Sequence, residues 1–134
     1  MPEKIRVLLV EPLEKPRVLE IKHTLENLQK LAGGTLQAIY PWDDPVAIVC
    51  DDEGKLKGSM PNRALVDDEG EPYDIICGSF FLCGIGKDDF ISISEKLAEK
   101  YAGVFRYPEM FIRTLDGHVA WLKMDSGEKP RVIT

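Results

Sequence analysis

The sequence predicts a single α+β domain in which a mixed, mostly antiparallel sheet is combined with about two helices. Three observations lead to this class: short β-branched runs alternate with hairpin turns, two segments show helical spacing of apolar residues, and one long apolar stretch can form the centre of a sheet. A chain of 134 residues has the usual size of one domain. We assign residues 1–124 to this domain and residues 125–134 to a polar C-terminal tail.

The first predicted elements are two strands and one helix. Lys4 to Val10 is rich in β-branched residues and Arg17 to Ile21 alternates, so we expect two strands joined by a turn. Thr24 can cap a helix, because the apolar residues between Leu25 and Ala32 recur at spacings of three and four. Gly33 then supplies a left-handed residue that ends this helix.

The middle of the chain is predicted to contain the core. Leu36 to Tyr40 and Val46 to Cys50 are two further strand-like runs. Tyr73 to Ile85 is the most apolar stretch, and we expect it to be one long central strand that is buried on both faces. Gly78 lies within this stretch and indicates a bulge or a point of close backbone approach.

The last predicted elements are a second helix and a terminal strand. Ser92 and Glu95 match a capping box, and the apolar residues that follow them share one helical face. Asp116 and Gly117 predict a hairpin turn. The segment from His118 to Met124 alternates and is therefore expected to be the last strand.

Composition excludes several classes of protein. The chain has 17 basic and 23 acidic residues, and this net charge of −6 disfavours binding to a nucleic-acid backbone. No segment approaches the roughly 18 apolar residues of a membrane span, so no membrane association is expected. The three cysteines form no Cys-x-x-Cys pair and lie in apolar segments, as reduced buried thiols do. We therefore expect a cytoplasmic protein.

The motifs of enzymes and metal sites are incomplete in this sequence. Gly84 to Lys87 lacks the earlier glycine and the following Ser or Thr of a phosphate-binding loop. His23 and His118 have no partners at metal-ligand spacing. No nucleophile can be matched with an oriented base. We therefore expect no catalytic residue, no metal and no cofactor, and the alternative is an enzyme whose site has no recognisable motif.

Two polar segments are the candidate binding site. The segment from Met60 to Leu65 is interpreted as a polar insertion between two strands, whose guanidinium suits a phosphate or carboxylate. The nearby proline-stiffened loop adds an aromatic plane and carboxylates. The candidate ligand-binding residues are Asn62, Arg63, Trp42, Tyr40, Asp43 and Asp44. The alternative is structural, with Asn62 in a turn and Arg63 paired with an acid at position 67, 68 or 69.

Several segments of the chain together match the pattern of a known family. They are the Leu25 to Leu31 helix with Gly33-Gly34, and Val10 to Pro12, Tyr40 to Ala47, Pro61 to Ala64, Tyr73 to Phe81, Asp89 to Phe90 and Pro108 to Phe111. On these segments the chain resembles the domain-of-unknown-function 3846 family from Leu8 to about Val119. The resemblance implies an origin in phages or bacterial mobile elements, and the family has no established activity to transfer.

This genomic setting implies a role against host immunity. One physical mechanism is a non-enzymatic protein that sequesters a small nucleotide signal, and the polar segments above favour it. The alternatives are a protein-interaction module that inhibits a host enzyme, or a protein without a small-molecule ligand. DNA mimicry needs a denser array of carboxylates than this charge provides. An aromatic loop and a sheet edge favour a homodimer.

Overall fold

The computed structural model describes residues 3–133, which contain two helices and eleven strands. The first seven elements are β1 (Lys4–Val10), β2 (Arg17–Lys22), α1 (Leu25–Ala32), β3 (Leu36–Ile39), β4 (Val46–Asp51), β5 (Pro61–Val66) and β6 (Pro72–Cys77). The other six are β7 (Phe80–Ile85), β8 (Phe90–Ile91), α2 (Glu95–Val104), β9 (Glu109–Arg113), β10 (Val119–Lys123) and β11 (Arg131–Ile133). Neither helix within residues 3–133 has the length and apolar character required to cross a membrane.

The strands form three sheets. The largest has the order β2-β1-β7-β4-β3, with β8 paired to β7. The β9, β10 and β11 strands form a second sheet, and β5 and β6 form a two-stranded one. Every strand pairing within residues 3–133 is antiparallel. The predicted α+β class with mostly antiparallel pairing is therefore confirmed, and its strands are divided among three sheets.

The central sheet has a buried cluster on each face. Successive side chains of a strand point to opposite faces, so Val7 and Leu8 enter different clusters. One cluster contains residues of α1, including Leu28. The other contains Tyr101 of α2 and Leu65 of the β5–β6 hairpin. The fold is therefore layered, with α1 on one side and α2 with the β5–β6 hairpin on the other.

The apolar stretch from Tyr73 to Ile85 is not one strand. Gly78 has a φ of +84°, a conformation that L side chains rarely adopt. The chain turns there, so β6 pairs with β5 while β7 enters the central sheet. The expected single strand is wrong because one left-handed glycine divides it between two sheets.

The helix starts depend on short polar contacts. Thr24 Oγ1 accepts a hydrogen bond from Asn27 N at 3.2 Å and caps α1, as predicted. The cap of α2 is Ser94, whose Oγ accepts from Leu97 N at 3.2 Å. Ser92, the predicted cap, instead accepts from Arg6 N at 2.8 Å. Its hydroxyl therefore joins β1 to the segment before the helix.

The C-terminal sheet contains a predicted hairpin and part of the predicted tail. Asp116 and Gly117 form the turn between β9 and β10, with Gly117 at a φ of +89°. The predicted polar tail contains β11, which pairs with β10 in this sheet. In that pairing Arg131 lies opposite Trp121. This sheet brings the end of the described chain beside the β5–β6 hairpin, since Arg131 Nη1 donates to Gly70 O at 3.0 Å.

Candidate functional site: the tryptophan groove

Asn62 and Arg63 do not form the polar surface loop that the sequence suggested. Both residues lie in β5 and have no exposed surface. Asn62 Nδ2 donates to Val10 O and to Gly78 O, both at 3.0 Å, so the side chain joins β5 to the ends of β1 and β6. Burial leaves neither side chain an exposed surface, so neither is part of the groove described below.

The guanidinium of Arg63 is saturated by groups of the protein itself. Its Nη2 donates to Glu14 O at 2.7 Å and to Phe105 O at 3.1 Å, and its Nη1 donates to Asn62 Oδ1 at 2.7 Å. Burial lowers the pKa of Arg63, and the nearby carboxylate of Glu109 opposes that shift. Within the described residues Arg63 forms an ion pair with Glu109 and with none of the acids at positions 67–69. The structural alternative therefore named the wrong acid as the partner of Arg63.

The Tyr40–Pro45 segment does place an aromatic ring and a carboxylate together on α2. The Trp42 ring packs on Tyr101 with centroids 4.2 Å apart, and Phe105 lies edge-on at 6.0 Å. Asp44 Oδ2 accepts from Lys100 Nζ at 2.5 Å and from Tyr101 Oη at 2.7 Å. These contacts hold the loop against the helix.

The same contacts shift two pKa values. Hydrogen bonds from Lys100 and Tyr101 lower the pKa of Asp44. Burial raises the pKa of Tyr101, and its hydrogen bond to the Asp44 carboxylate raises it further. At neutral pH the carboxylate is therefore ionised and the phenol is a donor.

Trp42 lines two of three cavities that share lining residues. The first cavity measures about 450 Å³ and is lined by Trp42, Asp43, Asp44 and Asp68. A second, smaller cavity of about 50 Å³ shares Trp42 with the first. A third of about 140 Å³ adjoins the second. Tyr40 is exposed and lines none of the three.

We call these three adjoining cavities the tryptophan groove. Val104 is shared by the first two cavities, and Trp121 and Lys123 are shared by the second and third. The groove has an acidic end, an aromatic middle and a basic end. The acidic end contains Asp43, Asp44 and Asp68, together with Lys100, which is paired with Asp44. The aromatic middle contains Trp42, Tyr73, Glu109 and Trp121. The basic end contains Lys123, Lys129 and Arg131, together with Glu128.

The basic end surrounds the second tryptophan ring. Lys123 Nζ lies 5.7 Å and Arg131 Cζ 5.2 Å from the Trp121 ring centroid, both within cation–π range. Lys123 and Lys129 form no ion pair within residues 3–133, and Glu128 is the one acid that lines this cavity. A chain of net charge −6 thus has a local cationic surface beside an aromatic ring.

A buried carboxylate forms the floor of the middle cavity. Glu109 is 3% exposed, and its Oε1 accepts from Ala64 N at 2.9 Å and from Trp121 Nε1 at 2.7 Å. Its Oε2 lies 3.9 Å from Arg63 Nε, which is an ion pair rather than a hydrogen bond. Burial raises the pKa of Glu109, although these donors and the Arg63 charge oppose the shift.

Sequence reasoning did not identify most of these groove residues. Trp121 and Lys123 belong to the segment predicted as the last strand, and Lys129 and Arg131 belong to the predicted tail. Glu109 lies in one of the segments that match the family, where the sequence gives it no role. The signal that could have found Glu109 is an acid at the start of a strand whose next three residues are apolar. Its significance depends on the β9–β10 register, which places Glu109 opposite Lys123 and leaves Trp121 two residues along on the same face.

The reactive side chains of residues 3–133 include three free thiols. No group of three His, Cys, Asp or Glu side chains within residues 3–133 is placed to hold a metal ion. Burial raises the pKa of the three free thiols, and that of Cys83 reaches about 12. Such thiols stay protonated at neutral pH and are poor nucleophiles. The groove itself is lined by aromatic rings and cationic side chains, groups that can hold a ligand by stacking and charge.

Comparison with known proteins identifies a family without assigning an activity. Neither the curated proteins nor the solved structures include a significant match. The model of a family described as "Domain of unknown function (DUF3846)" matches residues 5–106, which run from β1 through α2 and include Trp42. Glu109 and the basic end of the groove lie beyond the matched region. Because the match covers most of the chain, and agrees with the resemblance seen in the sequence, this protein belongs to the DUF3846 family.

Proposed function

We propose that this protein is a non-enzymatic binding protein whose tryptophan groove holds a ligand with a flat ring and an anionic group, such as a nucleotide. The observation that carries the proposal is the sequence of groups along the groove. Trp42 and Trp121 line adjoining cavities, and Lys123, Lys129 and Arg131 surround the cavity beyond them. A nucleotide has the same two parts, a π-face and a phosphate.

The ring of such a ligand would stack in the middle of the groove. Trp42 is half-buried and fixed by Tyr101, so little side-chain freedom is lost when a base packs on it. Tyr73 and Val104 line the same cavity and offer further apolar contact. Base–aromatic stacking contributes about 1–3 kcal/mol per base.

The phosphate would lie at the basic end. Lys123 and Lys129 are free of ion pairs within residues 3–133, so their charges are available to an anion. Arg131 is already bonded to Gly70 O and Glu71, which fixes its position beside the Trp121 ring. Charge-assisted contacts to phosphate are stronger than neutral ones.

Sequestration is the role that this binding would serve. A protein that holds a nucleotide signal without converting it lowers the free concentration of that signal, which would counteract a host defence that depends on it. The setting proposed for this role is the cytoplasm of a cell that carries a phage or mobile element. Three free cysteines are compatible with that reducing compartment.

Nucleotide titration tests the proposal directly. The purified protein should bind AMP more tightly than adenosine by calorimetry, because only AMP reaches the basic end. Replacing Lys123 and Lys129 together with alanine should weaken AMP binding by about tenfold or more and leave adenosine binding unchanged. Lys87→Ala is the matched control, since Lys87 is exposed and does not line the groove.

Ligand release provides a second measurement. Protein purified from its natural host should release a compound that absorbs in the ultraviolet and carries phosphate when it is heated, and mass spectrometry would identify that compound. Absence of any released nucleotide, together with no calorimetric binding of AMP, GMP, CMP or UMP, would contradict nucleotide binding.

The acidic end favours a second candidate, a protein-interaction module. Asp43 and Asp68 line the cavity opposite the basic end, so an extended peptide with a basic and an acidic residue would match both ends. The double variant Asp43→Asn with Asp68→Asn should then weaken capture of a host enzyme and leave AMP binding intact. Equal capture by the variant and the parent would exclude this use of the acidic end.

A further inference from the structure

The carboxylate of Glu109 has one occupied and one available oxygen. Oε1 receives two hydrogen bonds, from the backbone of Ala64 and from the indole of Trp121. No residue in the described part of the chain donates a hydrogen bond to Oε2. Because Glu109 lines the middle cavity, beside Trp42, Oε2 is the acceptor left for a molecule in the groove.

We infer that Glu109 determines the specificity of the groove: its Oε2 accepts a hydrogen bond from an exocyclic amino group on the ring of the bound ligand. The inference rests on the proposed function and narrows the ligand to a nucleotide with an amino-bearing base. It assigns Glu109 to recognition, whereas the lysines at the basic end contribute affinity.

The position of this carboxylate is fixed before a ligand arrives. The two donors to Oε1 come from β5 and β10, so the side chain is held between two sheets. Arg63 Nε lies 3.9 Å from Oε2, so it supplies positive charge without donating a hydrogen bond to that oxygen. An acceptor fixed in this way loses little conformational freedom on binding.

Burial makes such an acceptor selective. A ligand whose ring covers Oε2 removes it from solvent, and a ring without a donor then leaves a buried carboxylate oxygen without a partner. Sites of this kind reject analogues that lack the hydrogen-bonding group far more strongly than apolar pockets reject a missing methylene. The raised pKa of Glu109 has the same origin in burial.

The first test changes the ligand and needs no variant. AMP and purine riboside 5′-monophosphate differ only in the exocyclic amino group. Calorimetry with the parent protein should show about tenfold to hundredfold weaker binding of the analogue. Equal affinities would overturn the inference and leave the proposed function standing. Binding of UMP alone, with no binding of AMP, GMP or CMP, would also overturn the inference only. Failure of all four nucleotides to bind, together with no released nucleotide, would contradict the proposed function, and the inference with it.

The second test changes the acceptor. In Glu109→Gln the amide oxygen can still accept from Ala64 N and Trp121 Nε1, while the amide nitrogen replaces Oε2 with a donor. The preference for AMP over the analogue should then fall to near one. Glu99→Gln, an exposed change on α2, is the control that should retain the preference. A folded Glu109→Gln variant with the same preference as the parent would overturn the inference.

Folding of the variant is checked separately. Near-ultraviolet circular dichroism reports the packing of Trp121, whose indole bonds to Glu109. If Glu109→Gln does not fold, the comparison of the two ligands with the parent protein decides the question alone.

Discussion

The carbonyl oxygen of Phe105 receives both the Nε and the Nη2 hydrogen bonds of Arg63, at 3.3 and 3.1 Å. Phe105 is the C-cap of α2, and Arg63 lies in β5. This one contact therefore ties the end of the helix to the strand beneath it. Phe105 also packs edge-on against Trp42, so the position of the groove depends on the same residue.

Arg63→Ala should destabilise the fold strongly. The substitution leaves the carbonyls of Phe105 and Glu14 without their donor and leaves Glu109 without its neighbouring charge. Loss of one partner of a buried charged pair costs about 3–5 kcal/mol. Urea unfolding measures this loss.

Arg17→Ala is the control for that substitution, since Arg17 forms an exposed ion pair with Glu11 at 3.1 Å. Its effect should stay within about 1 kcal/mol. Arg63→Lys should recover only part of the loss, because an ammonium cannot reproduce the fork of donors. A stable Arg63→Ala variant would contradict the structural role assigned to this residue.

The contribution of Glu109 to the free energy of unfolding should decrease as pH rises. Burial raises its pKa in the folded state above the ordinary value of 4.5. The folded state then binds the proton more tightly than the unfolded state, so protonation of Glu109 stabilises the fold. This stabilisation is fully present below the ordinary pKa and is lost as pH rises through the raised pKa. The free energy of unfolding of the parent, minus that of Glu109→Gln, should therefore decrease with rising pH across this window. A difference that increases with pH would show the opposite shift.

Asp44→Asn should lower the pKa of Tyr101. The carboxylate raises that pKa by accepting the phenolic hydrogen bond and by its charge, but burial is the larger cause. The pKa should thus move towards its ordinary value without reaching it. Tyrosinate absorbance, read as the difference from a Tyr101→Phe background, measures the shift. Asp43→Asn should have a smaller effect, and equal effects would argue against the direct hydrogen bond.

Two glycine substitutions should change stability in opposite directions. Gly78 has a positive φ and an added Cβ would meet Ser59 Cβ at 3.4 Å, so Gly78→Ala should destabilise by about 1–2 kcal/mol. Gly103 lies in α2 with open space around its Cα, so Gly103→Ala should stabilise by about 0.5–1 kcal/mol. Thermal unfolding of both variants checks the signs. Destabilisation by both would mean that Gly103 has a packing role.

The sequence could predict the elements that depend on local pattern. The α1 helix begins at the Thr24 cap and ends at left-handed Gly33, because both signals act over a few residues. The Asp116–Gly117 turn is local in the same way. The prediction was wrong for the Tyr73–Ile85 stretch, since an apolar run does not reveal which sheet each half joins.

The candidate site was harder to predict than these local elements, because contacts between residues far apart in the sequence assemble it. The sequence predicts Trp42 and Asp44 as site residues, and both line the groove. It also predicts a polar surface loop at Asn62 and Arg63, but both side chains are buried in β5. Their burial is stable only because carbonyls from β1, α2 and the Glu14 turn converge on them. Such partners lie far apart in sequence, and a single chain gives no local sign of them.

By itself, the sequence determined the α+β class, the α1 helix, the hairpin turn at Gly117 and the family, since these follow from local spacing and from matched residues. Only the tertiary structure decided that Arg63 supports the fold and that Glu109, Trp121 and three cations complete a groove begun by Trp42. The physical reason is that desolvation acts on the assembled chain. Whether a polar side chain supports the interior or faces a ligand depends on which backbone groups the folded sheets bring to it.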